Sequence, residues 1–290
     1  MYDLKCHLNH VTLCVGYTIG KNLRGAPYDW RISPAQYQPD FKALKKLIEQ
    51  TYYLNGNRSV ALASLSMGGS YTILFLNTFV SQEWKDKYIH SWTSFCGPFG
   101  GSPIAMAALA SSFNKFGMPW YILSNSQMLS MTQSFGSIYW LLPFKQLYHD
   151  MVIGITPTKN YTSSDFEQLF KDLGNAQGAD MYSRMQFART MKAPGVTMNC
   201  IHGWNISTPH QVVYSSSDLY NSDASYITGD GDGTVPIKGL TISDKWQQDQ
   251  QQPINAYPIA NMVHGTSVKN AEALKIFLNS LGIESVYKEE

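Results

Sequence analysis

The spacing of apolar positions changes several times along the first hundred residues. Between 41 and 53 they recur every three or four positions, with lysines elsewhere, which predicts an amphipathic helix. Compact apolar runs at 59–63 and 90–96 have the length of buried strands, and a helix-like stretch at 71–80 lies between them. We also predict a strand at 22–28. This alternation of strand and helix favours an α/β fold with a mostly parallel sheet flanked by helices.

The alternation ends in a long segment that is almost without charge. Only two residues between 98 and 149 are charged, both lysines, whereas methionines and aromatic residues are frequent. We therefore interpret 98–195 as an inserted cap domain between two parts of a core, 1–97 and 196–290. Two roles of the cap fit this composition and do not exclude each other. The cap could pack on the sheet edge, or it could form an apolar wall that receives acyl chains or touches a lipid surface.

Further elements are predicted inside and after the cap. Ser164 and Glu167 have the spacing of a capping box, which predicts a helix that opens there and runs through Leu173. Apolar runs at 196–201 and 254–259 predict two more strands of the sheet, and the pattern at 267–281 predicts a closing helix.

Ser66 is the first candidate for chemistry. It lies directly after the predicted strand 59–63, in an S-x-S-x-G pattern, and a helix follows it. A sharp strand–turn–helix with a central serine is typical of a nucleophile elbow, whose usual form is G-x-S-x-G. Ser64 stands at the first glycine position, where the crowded turn requires a small residue. A Ser/Gly-rich loop without chemistry is the alternative for this pentapeptide alone.

The partners that a serine nucleophile needs occur later, in the order acid then histidine. A glycine-rich loop after an apolar stretch carries Asp230 and Asp232, of which Asp232 is favoured because it lies further from the strand end. His264 follows the predicted strand 254–259 and precedes a helix, so it lies at the same sheet edge. His202 is the second choice, but it comes before the acid and breaks the order of such triads. An imidazole must accept the serine proton, and a carboxylate must hold the imidazole.

Composition excludes several other classes. The 290 residues carry a net charge of +1, so nothing indicates a nucleic-acid partner. Apolar residues make up 44%, yet no run approaches the length of a membrane-spanning helix. The four cysteines form no C-x-x-C pair, which argues against a zinc or redox motif, and serine chemistry needs no metal or organic cofactor. Three N-x-S/T sequons, which begin at residues 57, 160 and 205, slightly favour a secreted glycoprotein.

Several collinear motifs resemble the lecithin:cholesterol acyltransferase and lysosomal phospholipase A family. The similarity runs from about residue 15 to near the C-terminus and combines the elbow, the acid loop and the His264 loop with motifs elsewhere. These further motifs lie at 25–31, 84–89, 97–102, 160–162, 200–204 and 208–209.

The resemblance implies an α/β-hydrolase fold with a cap and serine chemistry on glycerophospholipid esters. The acyl group would pass to water or to a lipid alcohol such as a sterol or ceramide. Ser66 would be the nucleophile, Asp232 the orienting acid and His264 the general base, and the backbone N–H of Met67 would be one oxyanion donor. Candidate substrate or cap contacts are Phe99, Trp120 and Trp140.

The sequence also departs from the family pattern. Ser64 replaces a glycine, Phe99 replaces a tryptophan, and Ser243 stands where the partner of a family cysteine, Cys200 here, is expected, so Cys200 should not make that bond. Nothing before Leu23 resembles the N-terminal region of the family, which holds the first strands and the second oxyanion donor. We therefore expect a truncated chain whose activity could be impaired.

Three functions follow as hypotheses. The first is a phospholipase A or lipid O-acyltransferase that works at a lipid membrane or lipoprotein surface, in the secretory pathway, lysosomal or extracellular by resemblance. The second is a catalytically inactive lipid-binding relative that keeps the triad. The third is a hydrolase of small soluble esters, against which the charge-poor cap argues.

Overall fold

The computed structural model describes residues 15–111, 124–222 and 224–283, so the cap candidate Trp120 lies outside the described residues. The strands in the described part are β1 (Val60–Leu65), β2 (Ile89–Phe95), β3 (Val152–Ile155), β4 (Asn160–Thr162), β5 (Met198–Trp204), β6 (Thr208–Tyr214), β7 (Ala224–Gly229) and β8 (Ile254–Ala260).

Helices connect these strands on both sides of the sheet. In the described part they are α1 (Gln38–Leu54), α2 (Met67–Thr78), α3 (Gln82–Tyr88), α4 (Ile104–Ala110), α5 (Asn125–Gln133), α6 (Gly136–Trp140), α7 (Lys145–Tyr148), α8 (Phe166–Asp172), α9 (Ala176–Arg184), α10 (Ile237–Leu240), α11 (Ser243–Trp246) and α12 (Ala271–Ser280).

The main sheet has the order β1-β2-β5-β8, and all of its pairs are parallel. Its four strands confirm, within a few residues, the four predicted from apolar runs. Parallel neighbours need long crossovers, and the helices between these strands supply them. All four carboxyl ends therefore meet at one edge, where the loops that follow the strands come together.

Side chains on the two faces of this sheet enter two separate apolar cores. Trp92 and Met198 point to one face and join the larger core with residues of α1 and α2. Phe95 and Ile201 point to the other face, where they pack with Phe277 of α12. The period of two along each strand explains this separation. Burial on both faces fixes the register of the strands and with it the positions of the loops at the carboxyl edge.

A second sheet has the order β4-β3-β6-β7, with β3 and β6 parallel and the outer pairs antiparallel. Its strands β3 and β4 lie within 98–195, whereas β6 and β7 lie after residue 195. The loop that leaves β7 runs back to the carboxyl edge of the main sheet, where Asp232 forms an isolated bridge with Ile206. The second sheet thus delivers a loop to the edge at which Ser66 lies.

Two of the aromatic candidates pack into the interior. Phe99 is 4% exposed and stacks edge-on against Trp92 and Trp246. Trp140, 2% exposed, donates its indole N–H to the carbonyl of Ala188 at 3.0 Å. These contacts account for their apolar character by core packing, so any contact with substrate remains a prediction.

The strand predicted at 22–28 is wrong. A turn ends at residue 22, where the N–H groups of Lys21, Asn22 and Leu23 all donate to the carbonyl of Thr18. Leu23 forms an isolated bridge with Ile19, and residues 24–28 have no regular secondary structure. The side chain of Asn22 also accepts from the N–H of Thr18 at 2.5 Å, and a local bond of this kind to the backbone competes with a sheet ladder.

Two helix boundaries also differ from the sequence prediction. The capping box at Ser164 is absent, because α8 begins at Phe166 and the carboxylate of Asp165 instead accepts from the N–H and hydroxyl of Thr162. The closing helix predicted over 267–281 is divided. A 3₁₀ helix spans His264–Lys269, and Asn270 then caps α12 by accepting from the N–H of Ala273.

Candidate active site

Ser66 lies on a sharp turn between β1 and α2. Its φ of 52° and ψ of −128° are rare for a residue with a side chain, and such strain occurs where surrounding contacts impose it. The contacts here are backbone hydrogen bonds: the Ser66 N–H donates to the carbonyl of Phe95, and the Ser66 carbonyl accepts from Gly69, both at 2.8 Å. The turn therefore holds the serine at the carboxyl edge of the sheet in a fixed orientation.

Close packing explains the small residues around this turn. A Cβ atom at Gly69 would lie 2.9 Å from the Ser94 hydroxyl and 3.2 Å from the Cα of Gly97, so α2 can approach β2 only with glycine there. Ser64, which replaces the usual glycine, accepts a hydrogen bond from the Trp92 indole at 2.9 Å. The hydroxyl added by this replacement is therefore satisfied rather than left unpaired.

Asp232 is completely buried at the start of the tight turn after β7. Its Oδ1 accepts from the N–H of Thr234 at 3.0 Å and of Val235 at 2.7 Å, which fixes the carboxylate in one orientation. The other oxygen, Oδ2, is left for the imidazole of His264. A buried carboxylate requires such partners, because an unpaired buried charge is costly.

His264 joins the acid to the serine. It begins the 3₁₀ helix after β8, and its backbone N–H donates to the backbone carbonyl of Asp232 at 2.9 Å, which connects the two loops. Its Nδ1 lies 2.6 Å from Asp232 Oδ2, and its Nε2 lies 2.8 Å from Ser66 Oγ. With Nδ1–H donating to the carboxylate, Nε2 is free to accept the serine proton.

The alternatives considered from the sequence lie elsewhere. Asp230 is exposed and accepts from the backbone N–H of Asn205 at 2.5 Å. His202 is buried on β5, and burial lowers its pKa. Met67 is the first residue of α2, directly after Ser66, so its N–H lies in a first turn where helical N–H groups have no acceptor within the helix.

A buried cysteine lies against the acid and the histidine. Cys96 Sγ, a carboxylate oxygen of Asp232 and a ring nitrogen of His264 all lie within 4.8 Å of one another. Thiol, carboxylate and imidazole could together ligate a zinc-like ion. However, the carboxylate and the imidazole are already engaged with each other at 2.6 Å. Sequence reasoning missed Cys96, although its position directly after a strand of the parallel sheet was a usable signal.

The other described cysteine, Cys200, is also free and buried. Burial raises the pKa of its thiol to about 12, and the hydroxyl of Ser243 beside it acts in the opposite direction. The structure thus places Ser243 against Cys200, in agreement with the position expected from the sequence.

A mostly parallel sheet flanked by helices, with a serine elbow followed along the chain by an acid and a histidine, defines an α/β-hydrolase. The fold is similar to that of a chain in the crystal structure of the Tle4–Tli4 complex, with a TM-score of 0.62 and 11% identity over 88% of this chain and 67% of that one. The chain belongs to the lecithin:cholesterol acyltransferase family, which matches residues 7–192 and 178–279.

Individual relatives agree with this assignment. The chain is 35% identical over 261 residues to lysosomal phospholipase A and acyltransferase of Mus musculus, which covers 89% of this chain and 62% of that protein. It is 34% identical over 262 residues to phosphatidylcholine-sterol acyltransferase of Mus musculus, and this alignment covers 90% of this chain and 59% of that protein. The chain thus spans about three fifths of the length of these relatives.

Proposed function

We propose that the protein is a serine-dependent phospholipase A and lipid O-acyltransferase. It would cleave a fatty acyl ester of a glycerophospholipid and pass the acyl group to water or to a lipid alcohol such as a sterol or ceramide. The observation that carries the proposal is the hydrogen-bonded chain from Ser66 through His264 to Asp232, at 2.8 and 2.6 Å. Its occurrence in a member of this family supports the substrate class.

The reaction would run in two halves. In the first, His264 Nε2 takes the proton of Ser66 as Oγ attacks the ester carbonyl, and then gives that proton to the departing lysophospholipid oxygen. Ser66 is left as an acyl ester. In the second half, His264 takes a proton from water or a lipid alcohol, whose oxygen attacks the acyl-enzyme, and then returns the proton to Ser66. Asp232 holds the Nδ1–H and stabilises the imidazolium in both halves.

The oxyanion of each tetrahedral intermediate needs donors close to Ser66. We assign one of them to the N–H of Met67, which follows the nucleophile and opens α2. The N-terminal end of the helix adds a favourable partial positive charge. Loss of a single donor of this kind costs about 10²–10³ in rate.

Exposed apolar side chains at the same sheet edge support a lipid substrate. Val263, next to His264, is 47% exposed, and Trp204 at the carboxyl end of β5 is 40% exposed. In this proposal 98–195 forms the cap over the core, and the protein works peripherally at a membrane or lipoprotein surface within the secretory pathway, in a lysosome or outside the cell. None of the described helices has both the length and the hydropathy to cross a bilayer.

Labelling with a fluorophosphonate tests the nucleophile. The unaltered protein should be labelled, Ser66→Ala should not, and Ser59→Ala, which removes an exposed serine just before β1, should be labelled normally. No labelling of folded protein would contradict the proposal and favour an inactive lipid-binding relative.

Turnover tests the substrate class. Phosphatidylcholine vesicles that contain a sterol or a short-chain ceramide should yield lysophospholipid together with free fatty acid or acylated alcohol. Turnover of short water-soluble esters without any turnover of the vesicles would contradict the lipid assignment and favour a small-ester hydrolase. Ser66→Ala should abolish product formation from either substrate.

A further inference from the structure

Cys96 lies in the middle of the edge on which the site is assembled. It follows β2 directly, and its N–H donates to the carbonyl of Ile201 on β5 at 2.8 Å. The preceding residue, Phe95, accepts the N–H of Ser66. Cys96 is therefore connected through its backbone to both the serine turn and the strand that lies between it and β8. Its side chain is completely buried.

The surroundings of the thiol keep it protonated. Burial is the main cause that raises the pKa of Cys96 far above its ordinary value, and the negative charge of Asp232 adds to the effect. A protonated thiol is a weak donor, whereas an ionised carboxylate is only an acceptor. The backbone of Gly203 and the hydroxyl of Ser267 also contact the thiol and act to lower its pKa, whereas the contact with Asp232 raises it. Of these partners, the carboxylate within 4.8 Å of Sγ is the one that can only accept, so we take it as the acceptor of the S–H.

The backbone at Cys96 is strained in a way that glycine would avoid. Its φ is 51°, in the left-handed region that side chains disfavour. Such positions cluster at functional sites, where the surrounding structure imposes them. A cysteine is thus held where a glycine would fit the backbone better, and backbone fit does not explain the thiol.

We propose that Cys96 is a positioning residue, whose S–H donates a hydrogen bond to the Asp232 carboxylate and keeps that carboxylate aligned with His264. This proposal rests on the triad roles proposed above. The carboxylate already accepts from Thr234 and Val235 through Oδ1 and from His264 through Oδ2. The thiol adds a donor from a different part of the chain, and because it is a weak donor it orients the carboxylate without neutralising it.

Loss of the thiol should change how activity depends on pH. Without the S–H, negative charge on Asp232 is less dispersed, so the imidazolium of His264 is favoured and the acidic limb of the kcat/KM profile moves to higher pH. The titratable groups that face the thiol are Asp232, from the loop after β7, and His264, from the 3₁₀ helix. His202 on β5 also lies near this carboxylate; burial lowers its pKa, and the charges of Asp244, Asp232 and Asp230 act in the opposite direction.

Four variants separate positioning from packing. Cys96→Ala should lower kcat by about two- to fivefold, the lower part of the range for one hydrogen bond, with little change in KM. Cys96→Ser, which keeps a donor, should restore kcat and hold the acidic limb at or below its normal pH. Cys96→Gly relieves the backbone strain but removes the donor. Its unfolding temperature should therefore be no lower than that of Cys96→Ala, and its kcat should be reduced as much. Cys200→Ala, at a buried thiol outside the site, should leave the pH profile unchanged.

The measurements are pH profiles of kcat and kcat/KM on phosphatidylcholine vesicles, thermal unfolding, and the low-field proton NMR signal of the His264 Nδ1–H. The signal should move in Cys96→Ala and Cys96→Gly and return towards its normal position in Cys96→Ser. Superimposable profiles and an unmoved signal in all Cys96 variants would overturn the proposal while leaving the proposed function intact. An unlabelled, inactive parent protein would contradict the proposed function instead, and the NMR signal would then decide the role of Cys96.

Discussion

Asp232 is the residue on which the site depends most at the scale of single side chains. It has no exposed surface, and its two oxygens are divided between the backbone of its own turn and the imidazole of His264. This division explains how an acid on one loop fixes the tautomer of a histidine on another. A side chain of the same shape that lacks the charge should therefore keep the fold and lose the function.

We expect Asp232→Asn to lower kcat by about 10³–10⁴-fold, because an amide N–H₂ facing Nδ1 favours the wrong imidazole tautomer. Steady-state kinetics on phosphatidylcholine vesicles measures the loss. Asp230→Asn is the matched control, since that exposed carboxylate bonds only a backbone N–H nearby, and it should stay within about threefold of normal. Equal activity of the two variants would contradict the assigned roles.

Two adjacent glycines in the serine turn should respond differently to alanine. Gly69→Ala should lower the free energy of unfolding by about 1–3 kcal/mol, because the new Cβ would lie 2.9 Å from the Ser94 hydroxyl and 3.2 Å from Gly97. Gly68→Ala meets only the Cβ of Ser64, at 3.6 Å, and should be neutral or slightly stabilising in a helix. Urea denaturation of both variants measures this. A larger loss in Gly68→Ala would contradict the packing described.

At the scale of elements, the sequence predicted the parts whose burial is regular. Strands β1, β2, β5 and β8 were identified because each is a compact apolar run between turn signals. The second sheet was not predicted, apart from the strand end that precedes the acid loop. Its strands β3 and β4 are four and three residues long, and β3 pairs with β6 across more than fifty residues. Segments of three or four residues are too short to show a clear apolar period, whatever their pairing partner.

The proximity of the three triad candidates was easier to predict than the contacts around them. Ser66, Asp232 and His264 were identified from their order and from the strand that precedes each, and the structure brings them into contact. The neighbourhood of Cys96 could not be predicted, since it depends on which strand lies beside which. The turn at residue 18 was also not predicted. It is held by several backbone N–H groups that donate to one carbonyl, and the pattern of apolar residues does not show such bonds.

An ion cluster that joins β4 to α8 should make stability depend on pH. Asp172 accepts from Lys159 at 2.7 Å, from Tyr161 at 2.8 Å and from Gln168 at 2.7 Å, and these bonds, Lys159 first, lower its pKa to about 2. A carboxyl group with a lowered folded pKa stabilises the protein above its unfolded pKa, near 4, and that contribution is lost as the pH falls towards 2.

Asp172→Asn should therefore cost about 1 kcal/mol near neutral pH, a value reduced for partial exposure, and the difference should vanish between about pH 4 and pH 2. Urea denaturation across this range measures it. Asp180→Asn breaks an exposed salt bridge with Arg184 and should cost less than about 0.5 kcal/mol. A pH-independent difference for Asp172→Asn would contradict the assigned cause.

At the scale of the whole molecule, the site forms where two sheets meet. The parallel sheet contributes Ser66 after β1 and His264 after β8, whereas Asp232 follows β7 of the second sheet. The backbone bond from His264 to Asp232 and the bridge between Ile206 and Asp232 fasten the two parts together. Assembly of the site therefore requires the fold of both sheets, and the central claim is that this assembled serine carries the acyl group.

Mass spectrometry of the acyl-enzyme tests that claim most directly. Protein mixed with phosphatidylcholine vesicles is quenched in acid and digested, and the peptide that contains Ser66 is analysed. We expect this peptide to gain the mass of one fatty acyl group, to lose it when a lipid alcohol is added before the quench, and to remain unmodified in Ser66→Ala. Acyl transfer by a protein whose Ser66 peptide never carries the acyl group would contradict the account.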